Sequence, residues 1–231
     1  MEGGGPNNNN TMKRKTVFRL STIVVMSLVV MGMIIKITIL DNANRLCILA
    51  EGFDEPSRAY YFFIERIYKI SEDSNISKDF LGYLSNNENP YLHDSYIRIL
   101  GVYGERNALT HLENSLGSLQ RAGDNLPITY YTIYSIGLIG DHKAILFLEN
   151  LLEKSNSVPG LQILGFPTAV SLFILTGNNS YYFANKAGEK QALIVTPRLS
   201  EARKVIVESK GRKRTYREMI ALDKIFRHPD W

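Results

Sequence analysis

Two stretches of the sequence match each other at a spacing of 36 residues. Ile97–Leu116 reads IRILGVYGERNALTHLENSL, and Ile133–Leu152 reads IYSIGLIGDHKAILFLENLL. Eight of the twenty aligned positions are identical: Ile97/Ile133, Gly101/Gly137, Gly104/Gly140, Ala108/Ala144, Leu112/Leu148, Glu113/Glu149, Asn114/Asn150 and Leu116/Leu152. Self-similarity with a period of about 20–50 residues is typical of proteins built from stacked repeats. These stretches therefore predict a repeat protein.

Prolines follow a similar spacing along the chain. Pro56, Pro90, Pro127 and Pro167 each precede an apolar pattern of helical period. Proline suits the start of a helix, because the first N–H groups of a helix have no partner within it. Each unit is therefore expected to hold two helices. The first helices are predicted at 56–70, 90–103, 127–139 and 167–176, and the second helices at 76–86, 106–119 and 142–155.

The pattern resembles HEAT-type helical repeats over residues 56–177. The resemblance rests on the Leu-Gly-x-x-Gly turn at Leu100–Gly104, its counterpart at Ile136–Gly140, and the Leu-Glu pairs of the second helices. It implies a mainly α fold, a short α-solenoid whose extended surface binds a protein partner. The family also contains bilin lyases. An envelope enzyme or lyase-like accessory is therefore the alternative function.

The segment 178–231 has a different character from the repeats. Two short apolar stretches, Tyr181–Asn185 and Gln191–Thr196, flank a turn with glycine, which predicts a β-hairpin. Helices are expected at 199–209 and 216–227. Thr215 and Glu218 have the spacing of a capping box at the start of the second one. We expect the hairpin and these helices to cap the open end of the stack.

The apolar segment 17–40 is predicted to be a transmembrane signal anchor. Leu20–Ile35 contains no charged residue, and 24 helical residues would span about 36 Å, enough for a hydrocarbon core of about 30 Å. The alternative is a cleaved signal peptide. The length of the apolar run and the lack of a small-x-small cleavage site before Asp41 argue against it.

Basic residues set the expected orientation of this anchor. More of them precede the apolar segment than follow it, which predicts a cytoplasmic N-terminus and a periplasmic or extracellular body. Residues 1–11 are low in complexity, and Met12 is a second candidate start. The predicted organisation is a disordered, basic tail at 1–16, the anchor at 17–40, a linker at 41–55, the repeats at 56–177, and the hairpin with basic helices at 178–231.

Charge is distributed unevenly, although the whole chain carries only +4. Residues 198–231 are basic, whereas the repeats before them are acidic. The candidate partner-binding residues are Arg212, Lys213, Arg214, Arg217, Tyr130 and Tyr134. The four basic side chains are expected at an exposed rim, facing acidic residues or a partner. The expected partners are a lipid bilayer, through residues 17–40, and a protein. No nucleic acid is expected outside the cytoplasm.

No pattern for catalysis, cofactor binding or metal binding emerges. The sequence contains no P-loop, dinucleotide fingerprint or Gly-x-Ser-x-Gly motif. Glu113 and Asp141 lie beside histidines, but their repeat counterparts Glu149 and Glu105 favour helix capping or pairing between repeats. Cys47 is the only cysteine. The expected function is therefore a membrane-anchored, extracytoplasmic helical-repeat scaffold that binds a protein or peptide, with no catalytic residue, metal or cofactor.

Overall fold

The computed structural model describes residues 25–31, 42–51, 57–73, 77–86, 93–117, 126–185 and 187–227, and these are mainly helical. The helices are α1 (Ala43–Glu51), α2 (Arg58–Asp73), α3 (Ser77–Asn86), α4 (His93–Tyr103), α5 (Leu109–Gly117), α6 (Leu126–Ile139), α7 (Ile145–Ser157), α8 (Gly165–Thr176), α9 (Pro197–Glu208) and α10 (Tyr216–Arg227). Strands β1 (Tyr182–Ala184) and β2 (Lys190–Ala192) pair antiparallel, with Phe183 opposite Gln191. The predicted helical fold with a small hairpin is confirmed.

The chain divides into two compact units, Met1–Arg45 and Leu46–Trp231. In the first unit residues 25–31 are helical, and the rest of the predicted anchor 17–40 lies outside the described residues, as does the tail 1–16. Among the residues described, no helix is both long and apolar enough to cross a membrane. The predicted linker 41–55 contains α1, which begins in the first unit and ends in the second.

In the second unit, the helices predicted as first helices form its buried centre. Helices α4, α6 and α8 pack side by side. Each predicted second helix packs on the first helix that follows it: α3 on α4, α5 on α6 and α7 on α8. Helix α8 is apolar nearly all round, as expected for a helix with neighbours on several faces, and all its residues from Pro167 to Leu175 are buried.

Gly101 and Gly137 lie inside helices α4 and α6, so their predicted place in the turns is wrong. A Cβ built on Gly101 would approach the Cα of Ser135 to 2.6 Å, and one built on Gly137 would approach the Cα of Ser171 to 2.8 Å. Because the helices lie so close, the hydroxyl of each serine donates a hydrogen bond to a carbonyl oxygen of the neighbouring helix. Ser135 Oγ lies 2.9 Å from the carbonyl oxygen of Ile97, and Ser171 Oγ lies 2.9 Å from that of Ile133. The same contact thus occurs twice, 36 residues apart in the sequence.

The turns after α4 and α6 also repeat. The residues with positive φ are Gly104 at +83° and Gly140 at +78°, a conformation that glycine adopts without steric cost. The next residue caps a short 3-10 turn. Asn107 N donates to Glu105 Oε1 at 3.2 Å, and Lys143 N donates to Asp141 Oδ1 at 3.0 Å. The capping role favoured for this acidic pair is confirmed.

The helix starts differ in detail from the proline pattern. Pro127 and Pro167 are the second and third residues of α6 and α8, so both fall in the first turn, where a missing N–H costs nothing. Pro56 and Pro90 lie outside the described residues. Short 3-10 turns, Arg106–Ala108, His142–Ala144 and Gln162–Leu164, precede α5, α7 and α8.

Replacing Gly101 or Gly137 with alanine is expected to lower the free energy of unfolding by about 1–3 kcal/mol. The added methyl group would overlap a neighbouring backbone, so α4, α6 or α8 must shift. Gly82 provides a matched control, because it is also helical but has no atom within 4 Å of a built Cβ. Gly82→Ala should stabilise by about 0.5–1 kcal/mol through helix propensity. Urea denaturation checks all three variants. Stabilisation of all three would contradict the close helix contacts.

The C-terminal helices do not both pack where the sequence predicts. Helix α9 packs on α8, the last of the predicted repeat helices, and Arg203 Nη1 donates to the carbonyl oxygen of Ile174 at 2.9 Å. Helix α10, expected there too, instead contacts α2, α4, α6 and α9. Its apolar face, formed by Met219, Leu222, Ile225 and Phe226, is buried. Helix α10 therefore covers one side of the row of first helices. The hairpin packs on α7 and α8.

Candidate functional site

The predicted basic cluster lies in the loop between α9 and α10, and its members occupy different environments. Lys213 and Arg217 are exposed, and the Arg212 side chain is 46% exposed. Arg214 is only 5% exposed. Its predicted position at an exposed rim is wrong, because it reaches inward to the ends of two helices.

Arg214 binds the C-terminal ends of both α4 and α6. Its Nη1 donates to the carbonyl oxygens of Gly101 and Val102 at 3.0 and 2.8 Å. Its Nη2 donates to those of Leu138 and Ile139 at 2.7 and 3.4 Å. The last carbonyls of a helix lack partners within the helix and carry its negative end. One guanidinium therefore caps equivalent ends of two repeated units.

Glycine in the turns makes room for this contact. A Cβ on Gly104 would lie 2.9 Å from the guanidinium carbon of Arg214, and one on Gly140 would lie 3.5 Å from its Nη2. Ser209, at the end of α9, accepts the remaining hydrogen bond, from Arg214 Nε at 3.2 Å. Burial lowers the pKa of Arg214 to about 10, so it remains charged at neutral pH.

Arg212 and Glu218 form an ion pair beside this loop. Arg212 Nη1 donates to Glu218 Oε2 at 2.8 Å, and Nη2 donates to Oε1. The predicted capping box is confirmed, since Thr215 N donates to Glu218 Oε2 at 2.8 Å and Glu218 N donates back to Thr215 Oγ1 at 3.4 Å. Hydrogen bonds from Arg212 and Thr215 lower the pKa of Glu218 to about 2.

The Glu218 carboxyl should therefore make stability depend on acid pH. A carboxyl whose pKa is lowered by folding stabilises the protein above its unfolded pKa, and this contribution is lost as pH falls through the folded pKa. The stability advantage of the wild type over Glu218→Gln should be constant at neutral pH and shrink as pH falls from 4.5 to about 2. Melting temperatures of both proteins across this range test it. A difference independent of pH would contradict the pair.

A pocket of about 290 Å³ opens between this loop and the repeat turns. Its basic lining residues are Arg106, Lys210, Arg212, Lys213 and Arg214, and among the residues that the structure describes no acidic side chain lines it. The sequence prediction missed Arg106, which belongs to a repeat turn far from the basic cluster along the chain. Only its position in the sequence could have drawn attention to Arg106, which directly follows Glu105 in the turn after α4. Lys210 lies at the edge of the cluster that the sequence does reveal.

The two candidate tyrosines lie on α6 but differ in exposure. Tyr134 is buried, and its ring centroid lies 6.1 Å from that of Phe226 on α10. Tyr130 is partly exposed, and partial burial raises the pKa of its hydroxyl. In this structure α10 therefore covers Tyr134, and the pair does not share one open surface.

Beneath α10 lies a buried charged cluster that sequence reasoning missed. Arg98 on α4 and Asp223 on α10 are fully buried and paired through two hydrogen bonds, Nε to Oδ1 at 2.7 Å and Nη2 to Oδ2 at 3.0 Å. Tyr68 on α2 donates to Asp223 Oδ1 at 2.6 Å. Arg227 Nε donates to Asp223 Oδ2 at 2.7 Å, and its Nη2 donates to Glu65 at 2.7 Å.

Electrostatics hold the central pair in its ionised form. Burial alone would raise the pKa of Asp223, but the charges of Arg98 and Arg227 hold that pKa below its ordinary value. Burial and the neighbouring Asp223 charge raise the pKa of Tyr68, so its phenol keeps the proton that it donates. The fully buried core of this cluster, Arg98, Asp223 and Tyr68, holds three helices together and exposes no reactive group.

The described residues contain no group of three or more His, Cys, Asp or Glu side chains that could hold a metal ion. Cys47, on α1, is buried and is not part of a disulfide. The basic pocket is therefore the candidate functional site.

Comparisons with known proteins identify no relative. No family model, no curated protein and no solved structure matches this chain.

Proposed function

We propose that this chain is a HEAT-like helical-repeat scaffold, a short α-solenoid, that binds a protein or peptide partner. The observation that carries the proposal is the duplicated contact between neighbouring helices, Gly101 with Ser135 and Gly137 with Ser171. In proteins built of stacked repeats, the same interface recurs between neighbouring units. The resulting row of helices forms the binding surface in other repeat proteins. The hairpin and α9 would close the end of the stack beyond α8.

We further propose that residues 17–40 anchor this scaffold in a membrane and that the body lies outside the cytoplasm. The apolar length of that segment and the basic residues before it support this part. Alkaline extraction of membranes, followed by intact-mass analysis, tests it. The proposal predicts a chain that stays in the pellet and retains residues 17–40. A chain beginning near residues 41–51 and released by mild lysis would contradict it.

The exposed basic side chains beside the pocket favour a partner whose contact surface is acidic. Arg212, Lys213 and Arg217 belong to one short segment around the start of α10. Charged rims mainly raise association rates and make binding salt-dependent. We therefore assign partner contact to these three side chains, rather than to Tyr134 beneath α10.

Cross-linking in intact membranes followed by affinity capture tests the partner proposal. The triple variant Arg212→Ala/Lys213→Ala/Arg217→Ala should lose a stoichiometric partner that the wild type retains at low salt. The matched control Lys69→Ala/Lys154→Ala/Lys190→Ala removes the same charge from exposed sites on α2, α7 and β2 and should retain the partner. Equal recovery with both triple variants, or recovery that is insensitive to salt, would contradict the assignment.

A further inference from the structure

The basic pocket has an unusual position for a site of positive charge. It lies where α4 and α6 end, and helix C-termini present carbonyl oxygens that repel anions. Arg214 changes the charge at these helix ends from negative to positive. Its guanidinium occupies carbonyls of both helices, and among the described residues no carboxylate lies within ion-pair distance of it. The base of the pocket therefore carries a buried positive charge in place of two negative helix ends.

Arg214 supplies charge to the pocket but few hydrogen bonds to a ligand. Its three nitrogens already donate to carbonyls of α4 and α6 and to Ser209. The donors for a ligand must come from other side chains. Arg106 and Lys210 are both exposed at the pocket, and within the described part of the chain neither side chain has a hydrogen bond or ion pair.

Arg106 and Lys210 approach the pocket from two different elements. Arg106 begins the 3-10 turn after α4, whereas Lys210 follows α9. Arg212 and Lys213 add positive charge from the loop, although Arg212 also pairs with Glu218 and Lys213 lies over the Tyr103 ring, 5.9 Å from its centroid. Two exposed cations that line one pocket with a buried third suit a compact, multiply charged oxyanion, because charge-assisted hydrogen bonds are strongest to ionised acceptors.

We propose that this pocket binds a phosphate group. Phosphate offers several acceptor oxygens around one centre, which suits donors from two elements that line one cavity, where the described residues include no acidic side chain. The group could belong to a soluble phosphate or to a lipid headgroup, and both have the same chemistry at this site. Binding would also relieve the cost of burying Arg214 without a counterion. A phosphate site goes beyond the scaffold function, because its ligand donors, Arg106 and Lys210, are not among the proposed partner contacts.

Thermal unfolding of the full chain in detergent tests the proposal with inorganic phosphate as the probe. Phosphate should raise the melting temperature of the wild type in a saturable way beyond sodium chloride at equal ionic strength, because a ligand that binds only the folded state stabilises it. Arg106→Ala/Lys210→Ala should weaken the apparent affinity at least tenfold. Lys69→Ala/Lys190→Ala, which removes the same charge elsewhere, should leave the affinity unchanged.

A second arm distinguishes the two sources of phosphate. The full chain is placed in nanodiscs of phosphatidylcholine, with or without phosphatidic acid, and titrated with inorganic phosphate. Tenfold weaker phosphate binding with phosphatidic acid would assign the site to a lipid headgroup, whereas equal binding would assign it to a soluble phosphate. A wild-type response no larger than that to chloride, or an unchanged response in Arg106→Ala/Lys210→Ala, would overturn the proposal. Failure of the wild type to capture a partner, with phosphate binding intact, would count only against the scaffold function.

Discussion

Replacing Asp223 with alanine should lower the free energy of unfolding by about 3–5 kcal/mol, because it leaves a fully buried arginine without its counterion. Arg98 is 0% exposed and pairs with Asp223 through two hydrogen bonds. The same carboxylate also accepts from Tyr68 and Arg227. The variant would therefore leave several buried donors unpaired at the junction of α2, α4 and α10. Urea denaturation at neutral pH gives the change in unfolding free energy.

A double variant separates the cost of an unpaired charge from the value of the pair. Arg98→Met/Asp223→Leu removes both charges and should recover much of the lost stability, since apolar residues often replace a buried ion pair at little cost. The exposed pair Lys204–Glu208, 3.8 Å apart, is the matched control, and Glu208→Ala should change stability by less than about 1 kcal/mol. A loss below about 1 kcal/mol for Asp223→Ala would contradict the buried pair.

Replacing Arg214 with alanine should lower the free energy of unfolding by about 2–4 kcal/mol. The change removes the donors that reach Val102 and Leu138, and a buried carbonyl left without a partner costs about 1–3 kcal/mol. Removing a buried cation offsets part of this loss. Arg214→Lys should be only a partial replacement, because an ammonium group lacks the planar fork that reaches two helix ends.

The neighbouring Arg217 is the control for Arg214. It is exposed, and within the described residues it forms no ion pair, so Arg217→Ala should change stability by less than about 0.5 kcal/mol. Chemical denaturation of both variants under one set of conditions makes the comparison. Equal effects of the two substitutions would show that Arg214 does not cap α4 and α6.

Local patterns in the sequence predict much of the fold. The 36-residue match correctly indicates equivalent helices and turns, and the spacing of Thr215 and Glu218 correctly marks the start of α10. Such features depend on residues close together in the chain. The role of Gly101 is less apparent, because a glycine near the end of a helical pattern serves equally well in a turn or in a close helix contact. Only the position of Ser135 on the next helix decides between them.

The candidate site depends on contacts between distant parts of the chain. Arg214 has the same local sequence character as Lys213, and its burial follows from two helix ends that lie 76 and 112 residues away. The buried pair does leave a trace in the sequence. Arg98 interrupts an apolar stretch of α4, and Asp223 lies between Leu222 and Ile225 on the apolar face of α10. Opposite charges on two buried faces could have suggested their pairing, although not which faces meet.

We expect α10 and its basic loop to belong to the same cooperative structure as helices α4, α6 and α8. Hydrogen exchange of the full chain tests this most directly, because amides in one cooperative unit open with similar free energies. Amides of α10 should be protected to a similar extent as those of α6, because Phe226 of α10 contacts Tyr134 of α6 and Arg214, in the loop before α10, binds the end of α6. Exchange of α10 at the rate of an unfolded segment, with α6 still protected, would contradict it.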